Sequence, residues 1–152
     1  MVKNLDDTET HPLLPTHVGI DLWRAALAWR ERLHSEMVER GHAWYGDARS
    51  AIAEHLDPRG MSQAALVARV GLTKQAVQQL LDSLEADGIV KREADPNDGR
   101  AKRVTYTKKG LAALRDGVAI KRAIEREYRD KLGDKRYAAL VESLRALLHE
   151  AS

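Results

Sequence analysis

Two groups of side chains in this sequence are suited to binding a polyanion. Lysines and arginines crowd around the turn PNDG, and residues 89–110 carry an excess of four positive charges in a chain whose formal net charge is only +2. Upstream, Lys74, Gln75, Gln78 and Gln79 share one side of a helical pattern. Glutamine can donate to and accept from a base edge, and lysine reaches guanine or phosphate. A charged hairpin by itself is equally consistent with an ordinary solvent-exposed surface. The neighbouring elements are needed to decide between that interpretation and a polyanion-binding one.

These elements predict two capped helices followed by a β-hairpin. Ser62 is placed to cap a short helix, Gly71 permits a sharp turn, and Thr73 is placed to cap the next helix. That helix ends near Gly88 and carries an apolar stripe that must face the core: Val77, Leu80, Leu81 and Leu84. Two helices joined by a short glycine turn are typical of a helix-turn-helix. The segments IVKRE and RAKRVTYT favour strands on either side of PNDG.

The predicted fold class is therefore mainly α with a small β-hairpin wing, a winged helix-turn-helix over residues 42–107. In such a domain the N-terminal part of the second helix meets base edges in the major groove, so the basic hairpin downstream favours double-stranded DNA as the partner. Asp47 is predicted to cap the helix that follows HAWYG.

Helical patterns flank this domain at residues 17–41 and 108–152, with a break at Gly133. Their apolar stripes are longer than one winged-helix core can cover, which predicts a helical dimerisation region. The alternative is that these helices fold back within one chain. Residues 1–16 contain Pro12 and Pro15 and show little periodicity, so we predict an N-terminal arm there.

Composition excludes several classes of function. The chain has no cysteine, which excludes disulfides, thiolate metal sites and thiol-based redox sensing. No catalytic Ser-His-Asp set, carboxylate pair or glycine-rich phosphate loop stands out, so we expect no enzyme and no cofactor. The six histidines form no tight ligand cluster, and ordinary histidines are favoured over a metal site. No membrane span or signal peptide is predicted, which makes a cytoplasmic location, at the nucleoid when DNA is bound, the expectation.

Three short motifs add a family resemblance. LEADGIVKR, DPNDGR and YTKKG follow one another in register within residues 61–110. This segment resembles the winged helix of the MarR family of bacterial transcriptional regulators. The resemblance implies a homodimer that binds a near-palindromic operator, usually as a repressor.

The resemblance also implies roles for individual residues. Thr73 starts the recognition helix, Ser62 belongs to the same DNA-binding surface, and Lys74, Gln75, Gln78 and Gln79 form its base-contacting face. Arg100 is the wing-tip arginine of the minor groove, and Asp98 shapes the wing around it. Lys102 and Arg103 follow the phosphates, while Arg92 lies at the wing base, paired to an acid such as Asp95. Ala76, Gln78, Gln79 and Ser83 depart from the residues that are frequent in the family, which leaves the operator sequence open.

An effector pocket is the last expectation. The resemblance implies a pocket between the dimer helices and the winged helix, bordered by Trp23, His42, Trp44 and Tyr45. Aromatic walls with a nearby cation suit a small aromatic or phenolic acid. The alternative is that these aromatic side chains belong to the core. For the whole protein, the alternative function is a winged-helix protein-interaction module without sequence-specific DNA binding.

Overall fold

A computed structural model describes residues 17–149 of the chain, so the predicted N-terminal arm lies outside the described residues. The helices are α1 (Val18–Glu39), α2 (Ser50–His55), α3 (Gln63–Val70), α4 (Lys74–Ala86), α5 (Lys108–Leu132) and α6 (Asp134–His149), with a 3-10 helix at Ala43–Gly46. The strands are β1 (Met61–Ser62), β2 (Val90–Asp95) and β3 (Asp98–Tyr106). The predicted class, mainly α with a small β wing, is confirmed.

Side-chain caps fix where α3 and α4 begin. Ser62 Oγ accepts a hydrogen bond from Ala65 N at 3.2 Å, and Thr73 Oγ1 accepts one from Ala76 N at 3.1 Å. Thr107 caps α5 in the same way. Each such cap stabilises its helix by about 1 kcal/mol relative to alanine. The caps by Ser62 and Thr73 that the sequence predicts are thereby confirmed.

The three strands form one antiparallel sheet in the order β1-β3-β2. β2 and β3 are the predicted hairpin, with Val90 opposite Tyr106 and an irregularity between Ala94 and Asp95. β1 was not predicted, because two residues are too few to show a strand period. It pairs with the other edge of β3, where Met61 lies opposite Val104.

The core lies between α2, α3, α4, α5 and the sheet. The apolar stripe of α4 faces it as predicted, except that Leu80 is only half-buried. Fully buried apolar side chains come from each of these elements: Ile52, Leu66, Val77, Leu81, Leu84, Val90, Val104, Ile120 and Ile124. This packing holds α4 firmly by one face and leaves its other face outside.

Two glycines are required by close approach of the backbone. A Cβ on Gly110 would overlap the carbonyl oxygen of Ile89, at the point where α5 leaves the sheet. A Cβ on Gly60 would lie 2.5 Å from Thr105 Cγ2, and the φ of Gly60 is +81°. Only glycine fits both positions without displacing the neighbouring strand.

The predicted cap by Asp47 is wrong. α2 begins at Ser50, its N-cap is Arg49, and no side chain caps it. Asp47 Oδ1 instead accepts a hydrogen bond from Arg49 N at 2.9 Å, and its carboxylate pairs with the guanidinium of Arg49. That guanidinium also reaches Asp87 at the end of α4. The acid thus stabilises the turn before the helix and not the helix end.

The chain divides into two compact units, Met1–Arg32 and Leu33–Ser152. In the described part of the first unit, Leu22, Trp23 and Leu27 of α1 are exposed. In the second unit, Leu33 and Met37 are buried, whereas α6 exposes a run of apolar residues: Leu140, Leu144, Leu147 and Leu148. The domain boundaries drawn from the sequence, at residues 41/42 and 107/108, stay a prediction.

Candidate nucleic-acid interface

The first turns of α4 present a polar surface. Lys74, Gln75 and Gln79 are exposed, and their side chains make no hydrogen bond or ion pair with the part of the chain that the structure describes. Val77, on the apolar stripe of the same helix, is fully buried. The Thr73 cap places this surface at the positive end of the helix dipole. The surface can therefore offer donors and acceptors to a ligand without losing internal contacts.

Gln78 differs from its neighbours because its amide is already engaged. Its Oε1 accepts a hydrogen bond from Gln63 Nε2 at 2.6 Å, and its Nε2 donates to Asp82 Oδ1 at 3.1 Å. The residue is half-buried. Gln63 was not singled out from the sequence, since nothing in its spacing links it to a side chain 15 positions away.

The wing is shaped by two aspartates that accept from the backbone. Asp95 Oδ1 accepts from Asn97 N at 2.9 Å, and Asp98 Oδ1 accepts from Arg100 N at 3.0 Å. Both are local turns in which the acid side chain replaces a backbone partner. Arg100 itself is exposed, and between residues 17 and 149 its guanidinium has no partner. The hairpin thus fixes the backbone of Arg100 while leaving its side chain available.

Arg92 does not pair with Asp95. Its Nη2 donates to Asp82 Oδ1 at 2.6 Å and to Glu85 Oε2, and its backbone N donates to Glu85 Oε1 at 2.9 Å. Asp95 lies beyond the irregularity at Ala94 and accepts from Asn97 N in the wing turn instead. Asp82 and Glu85, three apart on a helix, share one face and both reach Arg92.

The electrostatics of this cluster follow from its hydrogen bonds. The side-chain hydrogen bond from Arg92 lowers the pKa of Glu85, against a smaller opposing effect of desolvation. The reciprocal hydrogen bond raises the pKa of Arg92, so the guanidinium stays charged. Since Asp82 and Glu85 belong to α4 and Arg92 belongs to β2, the cluster joins the helix to the base of the wing.

The two remaining basic residues of β3 are placed differently. Lys102 is exposed, whereas Arg103 is half-buried. Arg103 Nη2 donates to the carbonyl oxygens of Arg59 at 2.8 Å and Gly60 at 3.0 Å. Part of this guanidinium therefore holds the loop before β1 to the sheet.

A groove runs between α3, α4 and β3. Gln63, Gln78, Lys74 and Lys102 line it together with Ala64, Val67 and Ala101. Two ammonium groups and two amides on opposite walls make it suited to an anion with hydrogen-bonding edges, such as a nucleic-acid strand. Of the predicted site, the structure brings Lys74, Gln78 and Lys102 to one groove, and Arg100 lies at the tip of the hairpin that forms one wall.

The residues predicted for an effector pocket are placed in two environments. Trp44 and Tyr45 are each 5% exposed, and their rings lie 5.2 Å apart. His42 Nε2 lies 2.7 Å from Asp116 Oδ2, a hydrogen bond that lowers the pKa of Asp116. Trp23, in the first unit, is 66% exposed. Trp44 Nε1 is buried without a partner among the described residues.

Two further features bear on other classes of function. Within residues 17–149, no group of three or more metal-binding side chains could hold a metal ion. None of the helices described there is long and apolar enough to cross a membrane.

Comparison with known proteins matches this geometry to one family. The family model described as "MarR family" matches residues 48–101. The transcriptional regulator HosA of Escherichia coli O111:H- is 27% identical over 93 residues, which are 61% of this chain and 69% of HosA.

Solved structures agree on the fold. The chain is similar to the repressor CouR bound to a 23-mer DNA duplex, with a TM-score of 0.66 and 24% identity over 87% of this chain and 92% of CouR. It is also similar to apo MarR from E. coli, with a TM-score of 0.68 and 18% identity over 88% of this chain and 98% of that one.

Proposed function

Because this chain belongs to the MarR family of winged-helix transcriptional regulators, which are not enzymes, we propose that it binds a near-palindromic operator as a homodimer and represses transcription. The observation that carries the proposal is the pairing of an unengaged polar surface on α4 with an exposed arginine at the wing tip. A DNA target places its action in the cytoplasm, at the nucleoid.

The two parts of the surface contact DNA in different ways. The face formed by Lys74, Gln75, Gln78 and Gln79 enters the major groove, where amides distinguish base edges. Arg100 enters the adjacent minor groove, whose negative potential attracts an arginine. Lys102 contacts phosphate, as does the part of Arg103 that does not hold the loop before β1. In this proposal the N-termini of α3 and α4, which Ser62 and Thr73 cap, face the phosphates. CouR, bound to a DNA duplex, has the same fold.

The exposed apolar residues support the homodimer. Trp23 on α1 and Leu147 and Leu148 on α6 are each more than half exposed in the single chain. Exposed large apolar side chains on each of the two units are consistent with a protein interface. In a two-fold dimer the recognition helices lie about 34 Å apart, one turn of B-DNA, which requires a near-palindromic site.

The effector proposal is a small aromatic or phenolic acid that releases the operator. It is supported by the aromatic pair Trp44–Tyr45, by Trp44 Nε1, which is buried without a partner among the described residues, and by His42 nearby in sequence. Titration with candidate aromatic acids should change tryptophan fluorescence. If a Trp44→Leu variant keeps the full response, the pocket at HAWYG is wrong.

Selection from a random pool of DNA duplexes tests the operator. We expect an inverted repeat whose half-sites are centred about 10 base pairs apart or a multiple of that spacing. When the selected site is placed upstream of a reporter gene, binding of the protein to that site should lower expression of the reporter. If the protein fails to bind any duplex even at low salt, the alternative of a protein-interaction module replaces this function.

A further inference from the structure

Gln78 lies in the middle of a chain of hydrogen bonds that crosses three elements. Gln63 Nε2 on α3 donates to Gln78 Oε1, and Gln78 Nε2 donates to Asp82 Oδ1 on the same helix, α4. The same Asp82 oxygen accepts from Arg92 Nη2 on β2 at 2.6 Å. The amide that faces the groove is therefore held from both sides.

The charge of Asp82 determines which way this amide points. A carboxylate only accepts, so the nitrogen of Gln78 must face Asp82 and the oxygen must face Gln63. Gln63 must then present its own nitrogen. Its Oε1 is left buried and unpartnered within the described residues, as expected if the polarity is imposed from Asp82 and not by the surroundings of Gln63.

The engaged amide keeps the groups that a base contact needs. One of the two N–H groups of Gln78 and one lone pair of its oxygen remain unused. A bidentate contact to adenine requires one acceptor for the N6 amino group and one donor for N7. When the Gln78 amide is held with its nitrogen toward Asp82 and its oxygen toward Gln63, its donor and acceptor fit adenine in only one orientation. A freely rotating amide would match both orientations.

We propose that Gln63 is a positioning residue for the base contact of Gln78: Asp82 imposes the polarity of the Gln78 amide, and the hydrogen bond from Gln63 Nε2 holds that amide in place. The proposal rests on the proposed function, since it assumes that Gln78 contacts a base in the operator. A purely structural role of Gln63 would weaken binding to every sequence. A positioning role should change the preference at only one base pair in each half-site.

The test compares variants at one position of α3. Gln63→Met keeps the length of the side chain and removes the donor, whereas Gln63→Lys restores a donor without the amide. Ala65→Met is the matched control, since it adds the same side chain at an exposed position of α3 that does not line the groove. The affinity of each variant is measured for each of the four base pairs at every half-site position, over a salt series. A thermal melt of each variant checks that it is folded. Gln78→Ala identifies the base pair that Gln78 governs.

Gln63→Met should weaken discrimination at that base pair on the order of fivefold, the equivalent of one neutral hydrogen bond. All other positions and the salt dependence should stay as in the wild type. Gln63→Lys and Ala65→Met should keep the preference. Asp82→Asn should weaken it, because an amide at position 82 no longer dictates the polarity, and this variant decides the question if Gln63→Met does not fold.

Two outcomes would overturn the proposal, and they are distinguishable from failure of the function itself. A Gln63→Met variant with an unchanged base profile, or with the same loss of affinity for every sequence, shows that Gln63 does not position the contact. A wild-type protein that selects no sequence at all refutes the operator as well.

Discussion

Replacing Arg92 with methionine removes the centre of the cluster that joins α4 to the wing. Methionine retains the length and packing of the aliphatic stem, so the change isolates the guanidinium. Breaking a buried ion pair costs about 3–5 kcal/mol, and an exposed pair is worth about 0–1 kcal/mol. The Arg92 side chain is 10% exposed, but Glu85 is 38% and Asp82 55% exposed. We therefore expect an intermediate loss of about 2 kcal/mol in the free energy of unfolding near neutral pH.

The loss should depend on pH with a definite sign. The pKa of Glu85 is lowered in the folded state below its ordinary value of 4.5. A carboxyl whose folded pKa is lowered stabilises the fold fully above its unfolded pKa, and this stabilisation is lost as the pH falls through the folded pKa. The difference between wild type and Arg92→Met should therefore be constant above about pH 5 and shrink below about pH 4.

Urea unfolding at fixed protein concentration measures both quantities. Lys91→Met is the matched control, because Lys91 pairs with Glu93 at 2.8 Å with both side chains at least half exposed. It should cost at most about 0.5 kcal/mol. If Arg92→Met costs no more than this control, or if its cost is the same at about pH 7 and about pH 3.5, the cluster does not stabilise the wing base.

Three further predictions concern the wing, the start of α5 and the exposed face of α6. Asp98→Ala should weaken DNA binding although it removes a negative charge, because Arg100 loses the turn that fixes its backbone; tighter binding in a titration would show that charge alone matters. Gly110→Ala should lower the stability by about 1–3 kcal/mol in a thermal melt because its Cβ meets the Ile89 carbonyl, whereas Gly99→Ala, with nothing near its Cβ, should be tolerated. Leu148→Glu, at an exposed apolar position of α6, should shift the protein from dimer to monomer in sedimentation, and a wild-type protein that is already a monomer at micromolar concentration would refute the homodimer and its palindrome.

The elements whose signals are local could be predicted from the sequence. The Ser62 and Thr73 caps, the apolar stripe of α4 and the turn residues of the wing each act within a few positions of the chain, and the structure has them where the sequence indicates. Asp98 accepts from the backbone of Arg100 for the same reason. Such features depend on the chemistry of neighbouring residues, which a sequence shows directly.

Apart from the Asp47 cap, where the acid accepts from Arg49 two residues away, the features that the sequence did not predict depend on contacts across the fold. The partner of Arg92 was sought on its own strand, but the chain reverses after α4 and brings Glu85 and Asp82 to it instead. Gln63 meets Gln78 only because α3 packs against α4. β1 exists only as a partner for β3. None of these has a periodic signal, because the packing of one element on another decides them.

The placement of the wing on DNA is tested by the affinity for the selected operator over a salt series, measured for the wild type and for Arg100→Ala. If the wing arginine lies in the groove, its removal should weaken binding to nearly all sequences and reduce the log–log slope by about 0.9, the contribution of one cation–phosphate contact. Gln75→Ala is the control, since loss of a base-edge contact should lower discrimination at one base pair by about 1–3 kcal/mol while leaving the slope almost unchanged. An Arg100→Ala protein that keeps both the wild-type affinity and the wild-type slope would contradict the placement of the wing on DNA.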